Sequence, residues 1–334
     1  MISILAAFFE FPGIAFWMSA AGLALLVIGL FAAKNDFAQA RGLDRIVALT
    51  NLCFAIPLAV FGAEHFSLGK SMIGLVPLYM PLRVFWIYLV GVALIIASLS
   101  IATRILVRWS GLLFGIMMFL FVAMIHLPGA IRSGDRIIWT IVIREMSFGG
   151  GGLVLAGVAL GQLRGKGNIL ITVGRVLIAI AAIFFGVQHF LHPLAVPGVP
   201  LAKQMPTWIP ARAIIDYLTG AFLIVGGVCF LIARKTRVAA TYLGIWILLL
   251  VVGYYGPMLI GALMDPSTGV KIEGLNYFAD TLLFGATILS LANNREIMGE
   301  YKNTLWLNIA AGTTAAIVSV LSLLLIGKTI ADMF

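Results

Sequence analysis

Runs of mostly apolar residues, each about 20 residues long, follow one another along the chain, and an α-helix of that length crosses a bilayer. The chain is 62% hydrophobic and only 10% charged, whereas ordinary globular chains are about half apolar and a quarter charged. A soluble domain could not bury this much apolar surface. The sequence therefore predicts an all-α polytopic membrane protein of about ten transmembrane helices. The predicted spans are 14–33, 46–66, 84–103, 109–127, 137–161, 170–191, 213–233, 238–260, 275–292 and 305–327.

Lys and Arg are distributed unequally between the two predicted sides of the membrane. Because cytoplasmic loops carry an excess of these residues, both termini are expected to face outward from a bacterial-type inner (plasma) membrane. The net charge of +9 thus reflects topology, and no nucleic-acid partner is predicted. The positions assigned to the inner side are Lys34, Arg41, Arg45, Arg104, Arg108, Arg164, Lys166, Arg175, Arg234, Lys235, Arg237, Arg295 and Lys302.

The middle of the chain contains an internal sequence repeat of two units. The segment 61–66 (Phe-Gly-Ala-Glu-His-Phe) recurs at 185–190 as Phe-Gly-Val-Gln-His-Phe. A longer pattern recurs at an offset of 129 residues, as Pro77-x3-Pro81-x-Arg83-x4-Tyr88-x2-Gly91 and Pro206-x3-Pro210-x-Arg212-x4-Tyr217-x2-Gly220.

The duplication defines the predicted domains. Each unit holds four spans, in 46–161 and in 170–292, and an even number of spans returns the chain to its starting side. The two units are therefore expected to share one orientation, as in parallel-repeat transporters. One flanking helix is predicted at each end, in 1–45 and in 293–334.

Both copies carry a set of short motifs. They are Met80-Pro81, Phe85-Trp86, Tyr88, Gly91, Trp208-Ile209-Pro210, Tyr217-Leu218-Thr219-Gly220, Gly226-Gly227 and 234–240 (Arg-Lys-Thr-Arg-Val-Ala-Ala). With these motifs the chain resembles the DoxX-like membrane family over roughly 46–292. That family consists of four-helix membrane units, so the chain resembles two of them fused. It departs from the family pattern three places after the helix glycine, where Leu94 and Leu223 replace an acidic residue.

The resemblance implies a redox role. Some DoxX-like proteins are subunits of a thiosulfate:quinone oxidoreductase, and others are tied to redox-stress complexes. By this resemblance the chain is expected to be a redox-associated accessory subunit that interacts with quinone and with a membrane partner subunit, within the lipid bilayer.

Ionisable residues inside predicted spans cost at least ~2.5 kcal/mol each by insertion scales, and three of them stand out. They are Arg144, Glu145 and Asp280. When Phe148 is aligned with Phe284, Arg144 and Asp280 occupy equivalent positions in the two units. We predict that they form an ion pair, with Glu145 as the competing partner of Arg144. The pair could lock the two halves together or belong to a ligand site.

All four histidines fall at predicted outer helix ends: His65, His126, His189 and His192. The i, i+3 spacing of His189 and His192 puts them on one helix face, where they could hold a metal ion or one side of a haem. Hydrogen bonding at the membrane interface is favoured over both.

Arg83 and Arg212 begin their helices beside repeated prolines. A shared structural corner, in which proline fixes the entry into the helix, is favoured over binding of an anionic ligand. Asp216, whose counterpart in the first unit is Ile87, could pair with Arg212 at i, i+4.

The polar residues map to one leaflet and predict an outward-facing polar cavity. Three functions stay open: a quinone-interacting redox accessory, a small-solute transporter, and a structural or assembly subunit. The sequence assigns no catalytic constellation. The cavity residues predicted to bind ligand are Glu64, His65, Arg83, His126, Arg144, Glu145, His189, Arg212 and Asp280.

Overall fold

A computed structural model describes residues 13–164 and 169–293, and these residues form a helical bundle without regular strands. A 3-10 turn follows α3 at Gly69–Leu75, and single π turns occur at Val122–His126 and Val251–Tyr255. The helices are α1 (Ile14–Gln39), α2 (Asp44–Ala48), α3 (Thr50–Leu68), α4 (Arg83–Thr103), α5 (Val107–Phe121), α6 (Leu127–Ser133), α7 (Arg136–Arg164), α8 (Ile169–Leu191), α9 (Arg212–Leu231), α10 (Thr236–Leu250), α11 (Gly256–Met264) and α12 (Thr268–Ala292).

Nine helical segments of the described chain are long and apolar enough to cross a membrane. They correspond to nine of the predicted spans, and the tenth, 305–327, lies outside the described residues. The protein is an all-α polytopic membrane protein, as predicted. The last described helix begins at Thr268 and not at 275. Its first turns carry the charged residues Lys271 and Glu273. The helix therefore begins before the apolar run on which the predicted span was based.

Four helices form the centre of the bundle. Most residues of α3, α7, α8 and α12 are buried, whereas fewer than half of the residues of α1, α4, α5, α9 and α10 are buried. The central helices join the two predicted units. Helix α7 of the first unit packs on α8 of the second, and α12 of the second packs on α3 of the first. Exposed apolar surface on the outer helices is suited to contact with lipid.

A run of four glycines at 149–152 allows α7 to reach its neighbours. A Cβ at Gly150 would lie 3.0 Å from the backbone oxygen of Gly174 in α8, and one at Gly151 would lie 2.6 Å from the hydroxyl of Thr287 in α12. A Cβ at Gly152 would lie 2.6 Å from the Gly111 oxygen in α5. Small residues permit such close helix approach in membranes, so the run serves helix packing.

Local features recur at positions 129 residues apart. Residues with left-handed φ precede α4 and α9, at Leu82 (51°) and Ala211 (54°). The two π turns stand at the same offset. The superposition of 46–161 on 170–292 stays a prediction. A stacked ring pair also occurs in each unit, Phe66 with Tyr88 at 6.0 Å between centroids and Phe190 with Tyr217 at 5.7 Å. The two tyrosines share the offset of 129, whereas the two phenylalanines do not.

The segment between α8 and α9 turns into the bundle instead of crossing its surface. Residues 195–201 are all buried, and an isolated antiparallel bridge joins Ala195 to Gln204. We call residues 195–205 the plug loop. The corresponding connection between α3 and α4, at 69–82, is mostly exposed. The end of the bundle that carries both connections is the long-loop end.

Arg175 differs from its sequence-based assignment to the inner loops. It lies within α8 and is 4% exposed. Its guanidinium group donates to the backbone oxygens of Phe230 and Leu231 at the end of α9. A helix leaves its last carbonyls without intrahelical partners, and Arg175 satisfies two of them.

Candidate functional site

A cluster of acidic side chains surrounds Arg144 between α3, α7 and α12. Arg144 Nη1 donates to Asp280 Oδ2 at 2.5 Å, and Arg144 Nη2 donates to Glu145 Oε1 at 2.7 Å. Asn276 Nδ2 donates to Glu64 Oε1 at 2.9 Å. The predicted ion pair of Arg144 with Asp280, and the competing contact with Glu145, are confirmed. We call Glu64, Arg144, Glu145, Asn276 and Asp280 the carboxylate cluster.

The carboxylate cluster contains more acidic groups than cations. Glu64, Glu145 and Asp280 are 9%, 7% and 8% exposed. Arg144 contacts Glu145 and Asp280, whereas Glu64 is hydrogen-bonded by the uncharged Asn276. His126 interacts electrostatically with Arg144 and Glu145. A buried charge without a partner is costly, so the excess of acidic groups over cations favours a bound proton or another cation here.

A second polar pair is fully enclosed at the long-loop end. His189 Nδ1 lies 2.9 Å from Asp216 Oδ1, and neither side chain is exposed. The Gly198 backbone N–H donates to His189 Nε2 at 3.1 Å. His189 Nε2 therefore acts as an acceptor, and its Nδ1 lies at ion-pair distance from the Asp216 carboxylate.

The prediction that Asp216 pairs with Arg212 is wrong. Arg212 Nη1 donates to the Met205 backbone oxygen at 3.1 Å, and the carboxylate of Asp216 faces His189 instead. In the first unit Ile87 replaces the acid, and His65 Nδ1 binds the Phe61 oxygen of its own helix at 2.8 Å.

Arg83 and Arg212 fasten the connections that precede their helices. Arg83 Nε and Nη2 donate to the Val76 oxygen at 3.0 and 2.8 Å. Both arginines thus reach a carbonyl seven residues earlier, Val76 or Met205. This is the structural corner that the repeated prolines and arginines favour.

The nine predicted site residues therefore divide into three groups. Five are brought together around the carboxylate cluster: Glu64, His126, Arg144, Glu145 and Asp280. One, His189, belongs to the separate buried pair. The remaining three hydrogen-bond backbone oxygens near their own helices: His65, Arg83 and Arg212.

His189 and His192 are the two residues named from the sequence as candidates for metal binding. Contacts from Asp216 and Gly198 occupy both ring nitrogens of His189, which leaves it without a free lone pair to share with His192. Within residues 13–164 and 169–293, no group of three His, Cys, Asp or Glu side chains is placed to hold a metal ion.

The plug loop is held by side chains that the sequence-based predictions did not include. Tyr255 donates its hydroxyl to the Pro197 oxygen at 2.7 Å, and Arg136 Nη1 donates to the Pro200 oxygen at 2.9 Å. The Lys203 N–H donates to the Tyr277 hydroxyl at 3.2 Å. Buried non-helical backbone in a membrane protein needs such partners. The sequence feature that could have predicted burial of this loop is the set of apolar residues between its prolines.

A cavity of about 300 Å³ opens at the long-loop end beside the plug loop. None of the nine predicted ligand-binding residues is among its lining residues. A polar cavity shared by those nine residues stays a prediction. The residues that line the cavity include Arg136, Leu191, His192, Leu194, Leu201 and Gln204.

No protein-family model, curated protein or solved structure matches the chain. Its membrane character is carried by the nine apolar helices.

Proposed function

We propose that the protein is a membrane transporter for a small solute, in which the carboxylate cluster binds and releases protons. The observation that carries this proposal is the ratio of three buried carboxyl groups to one guanidinium group. Ionisable groups of this kind mark proton paths in pumps and transporters.

The position of the carboxylate cluster supports the same proposal. Glu64 and Arg144 lie on helices of the first predicted unit, and Asp280 lies on a helix of the second. Transporters built from repeats commonly place their substrate and coupling-ion sites at the interface between the repeats. A proton bound here could alter the contacts between the two halves, because Asp280 loses its attraction to Arg144 when it is neutral.

A pH jump on a solid-supported membrane that contains the purified protein tests proton binding without knowledge of the solute. We expect a transient charge displacement when the bathing pH changes. Asp280→Asn should remove a large part of it, because the amide cannot take up a proton. The control Glu273→Gln removes an exposed acid from the same helix and should leave the signal unchanged.

The opposite outcome has a clear meaning. A charge displacement absent from the unmodified protein, or equal in all variants, would show that the acids around Arg144 hold a fixed protonation state. The carboxylate cluster would then be a structural lock, and the transporter proposal would fail.

The second candidate function is a redox accessory of the DoxX-like kind. This proposal includes the twofold repeat, because the chain would consist of two fused DoxX-like units. The corner that joins Arg83 to Val76 has its match in Arg212 and Met205, as two fused DoxX-like units would require. A quinone that co-purifies with the protein, or a coloured prosthetic group in its absorption spectrum, would favour this candidate over the transporter.

We also propose that the protein resides in a bacterial-type inner membrane with its long-loop end outside. Single cysteines placed at Gly165 and Gly269 test this orientation, in a background where Cys53 and Cys229 are replaced. A membrane-impermeant thiol reagent should label position 269 in intact cells and position 165 only after permeabilisation. The reverse pattern would invert the orientation.

A further inference from the structure

The cavity at the long-loop end lies between the start of α7, the end of α8 and the plug loop. Its volume of about 300 Å³ is at the lower end of the range for small-molecule sites. It therefore suits a head group or a small molecule better than a whole lipid.

Arg136 and His192 line this cavity, and no acidic side chain is among its lining residues. Arg136 Nη1 and Nη2 donate to the backbone oxygens of Pro200 and Leu201 at 2.9 and 3.5 Å. Arg136 forms no ion pair within the part of the chain that the structure describes. The carboxylate of Asp135 instead caps α7, where its Oδ1 accepts the Ile137 N–H at 2.6 Å.

His192 adds a second unsatisfied group. Its Nε2 atom is buried and has no hydrogen-bond partner, which is uncommon for a buried polar atom. Burial, and secondarily the neighbouring Arg136, lower the pKa of the His192 imidazole. A neutral His192 can donate one hydrogen bond while Arg136 supplies the positive charge.

We propose that this cavity binds the acidic head group of an amphipathic ligand, with a phosphate or carboxylate held by Arg136 and His192. The guanidinium group is suited to planar, paired recognition of such oxyanions. Leu191, Leu194 and Leu201 line the same space and receive the apolar part of the ligand. An anionic phospholipid and a free small anion share this head-group chemistry. The site is independent of proton binding at the carboxylate cluster.

Native mass spectrometry of the full-length protein in detergent distinguishes the two sources. The probes are short-chain phosphatidylglycerol, phosphatidylcholine of equal chain length, and inorganic phosphate. We expect phosphatidylglycerol to bind more tightly than phosphatidylcholine. Arg136→Gln should weaken that binding roughly tenfold, the effect of one charge-assisted hydrogen bond. Arg132→Gln, a matched change at an exposed arginine of the same end, should not weaken it.

A second variant keeps the test valid if Arg136→Gln does not fold. Ala202→Phe fills the cavity from an exposed position in the plug loop and leaves the bonds of Arg136 to the loop in place. It should abolish selective binding. Arg136-dependent binding of inorganic phosphate alone would assign the site to a free anion. Equal binding of both lipids and no binding of phosphate, in all variants, would overturn the proposal.

Discussion

Arg144→Ala is expected to destabilise the protein by about 3–5 kcal/mol, the usual cost of removing one member of a buried ion pair. The substitution leaves Glu145 and Asp280 buried without the cation that contacts them. Asp280→Ala should cost less, because Arg144 retains its bond to Glu145 at 2.7 Å. Adding Asp280→Ala to Arg144→Ala should restore part of the lost stability, because it removes one unpaired acid.

Thermal unfolding of the two single variants and the double variant in one detergent measures this coupling. The matched control is the exposed pair of Arg237 and Asp44, whose Nη2 and Oδ1 atoms lie 2.9 Å apart. Arg237→Ala should change stability by about 1 kcal/mol or less, as is usual for a surface pair. If the effects of Arg144→Ala and Asp280→Ala simply add, the two side chains are not energetically coupled.

His189→Leu is expected to have a similar effect of about 3–5 kcal/mol, at the other polar centre. It would leave the fully buried carboxyl group of Asp216 without its partner and the Gly198 N–H without an acceptor. Exchange of the Gly198 amide hydrogen should therefore become faster, together with that of its neighbours in the plug loop. Thermal unfolding and hydrogen exchange followed by mass spectrometry measure the two effects.

His65→Leu is the matched control for this prediction. His65 occupies the corresponding place in the first unit, but its ring binds a carbonyl of its own helix. Its replacement should cost about 1 kcal/mol, the net value of an ordinary hydrogen bond. Adding Asp216→Ile to His189→Leu should restore stability without slowing the exchange at Gly198. Unchanged exchange in His189→Leu would show that the histidine does not hold the plug loop.

The number of helices and one long-range contact could be predicted from the sequence. Apolar runs mark spanning helices because the bilayer requires them. The contact of Arg144 with Asp280 followed from alignment of the two units through Phe148 and Phe284. The bond from Asn276 to Glu64 could not be predicted in this way, because an amide carries no charge that calls for a partner.

The pairing of Asp216 was predicted wrongly for a geometric reason. Spacing of i, i+4 places Asp216 on the same helix face as Arg212, but side chains in a helix lean towards its N-terminus. At the first residue of α9, Arg212 therefore reaches back to the Met205 carbonyl in the preceding connection. The partner of Asp216 comes from α8, and sequence spacing within a single helix cannot reveal it.

The plug loop was missed because its prolines are typical of exposed connections. Pro197 and Pro200 lack an N–H group, which lowers the number of donors that a buried loop must satisfy. Their carbonyl oxygens accept hydrogen bonds from Tyr255 and Arg136. Proline is therefore compatible with burial here, although the residue type alone indicates a surface turn.

The bonds of the plug loop also constrain the order in which the protein assembles. His189 precedes the loop in the chain, whereas Tyr255 and Tyr277, which bind it at Pro197 and Lys203, are synthesised later. Until those residues are in the membrane, the loop backbone must satisfy its hydrogen bonds with water. We therefore expect this end of the nascent bundle to stay hydrated until α12 has been inserted, so that its closure completes biogenesis.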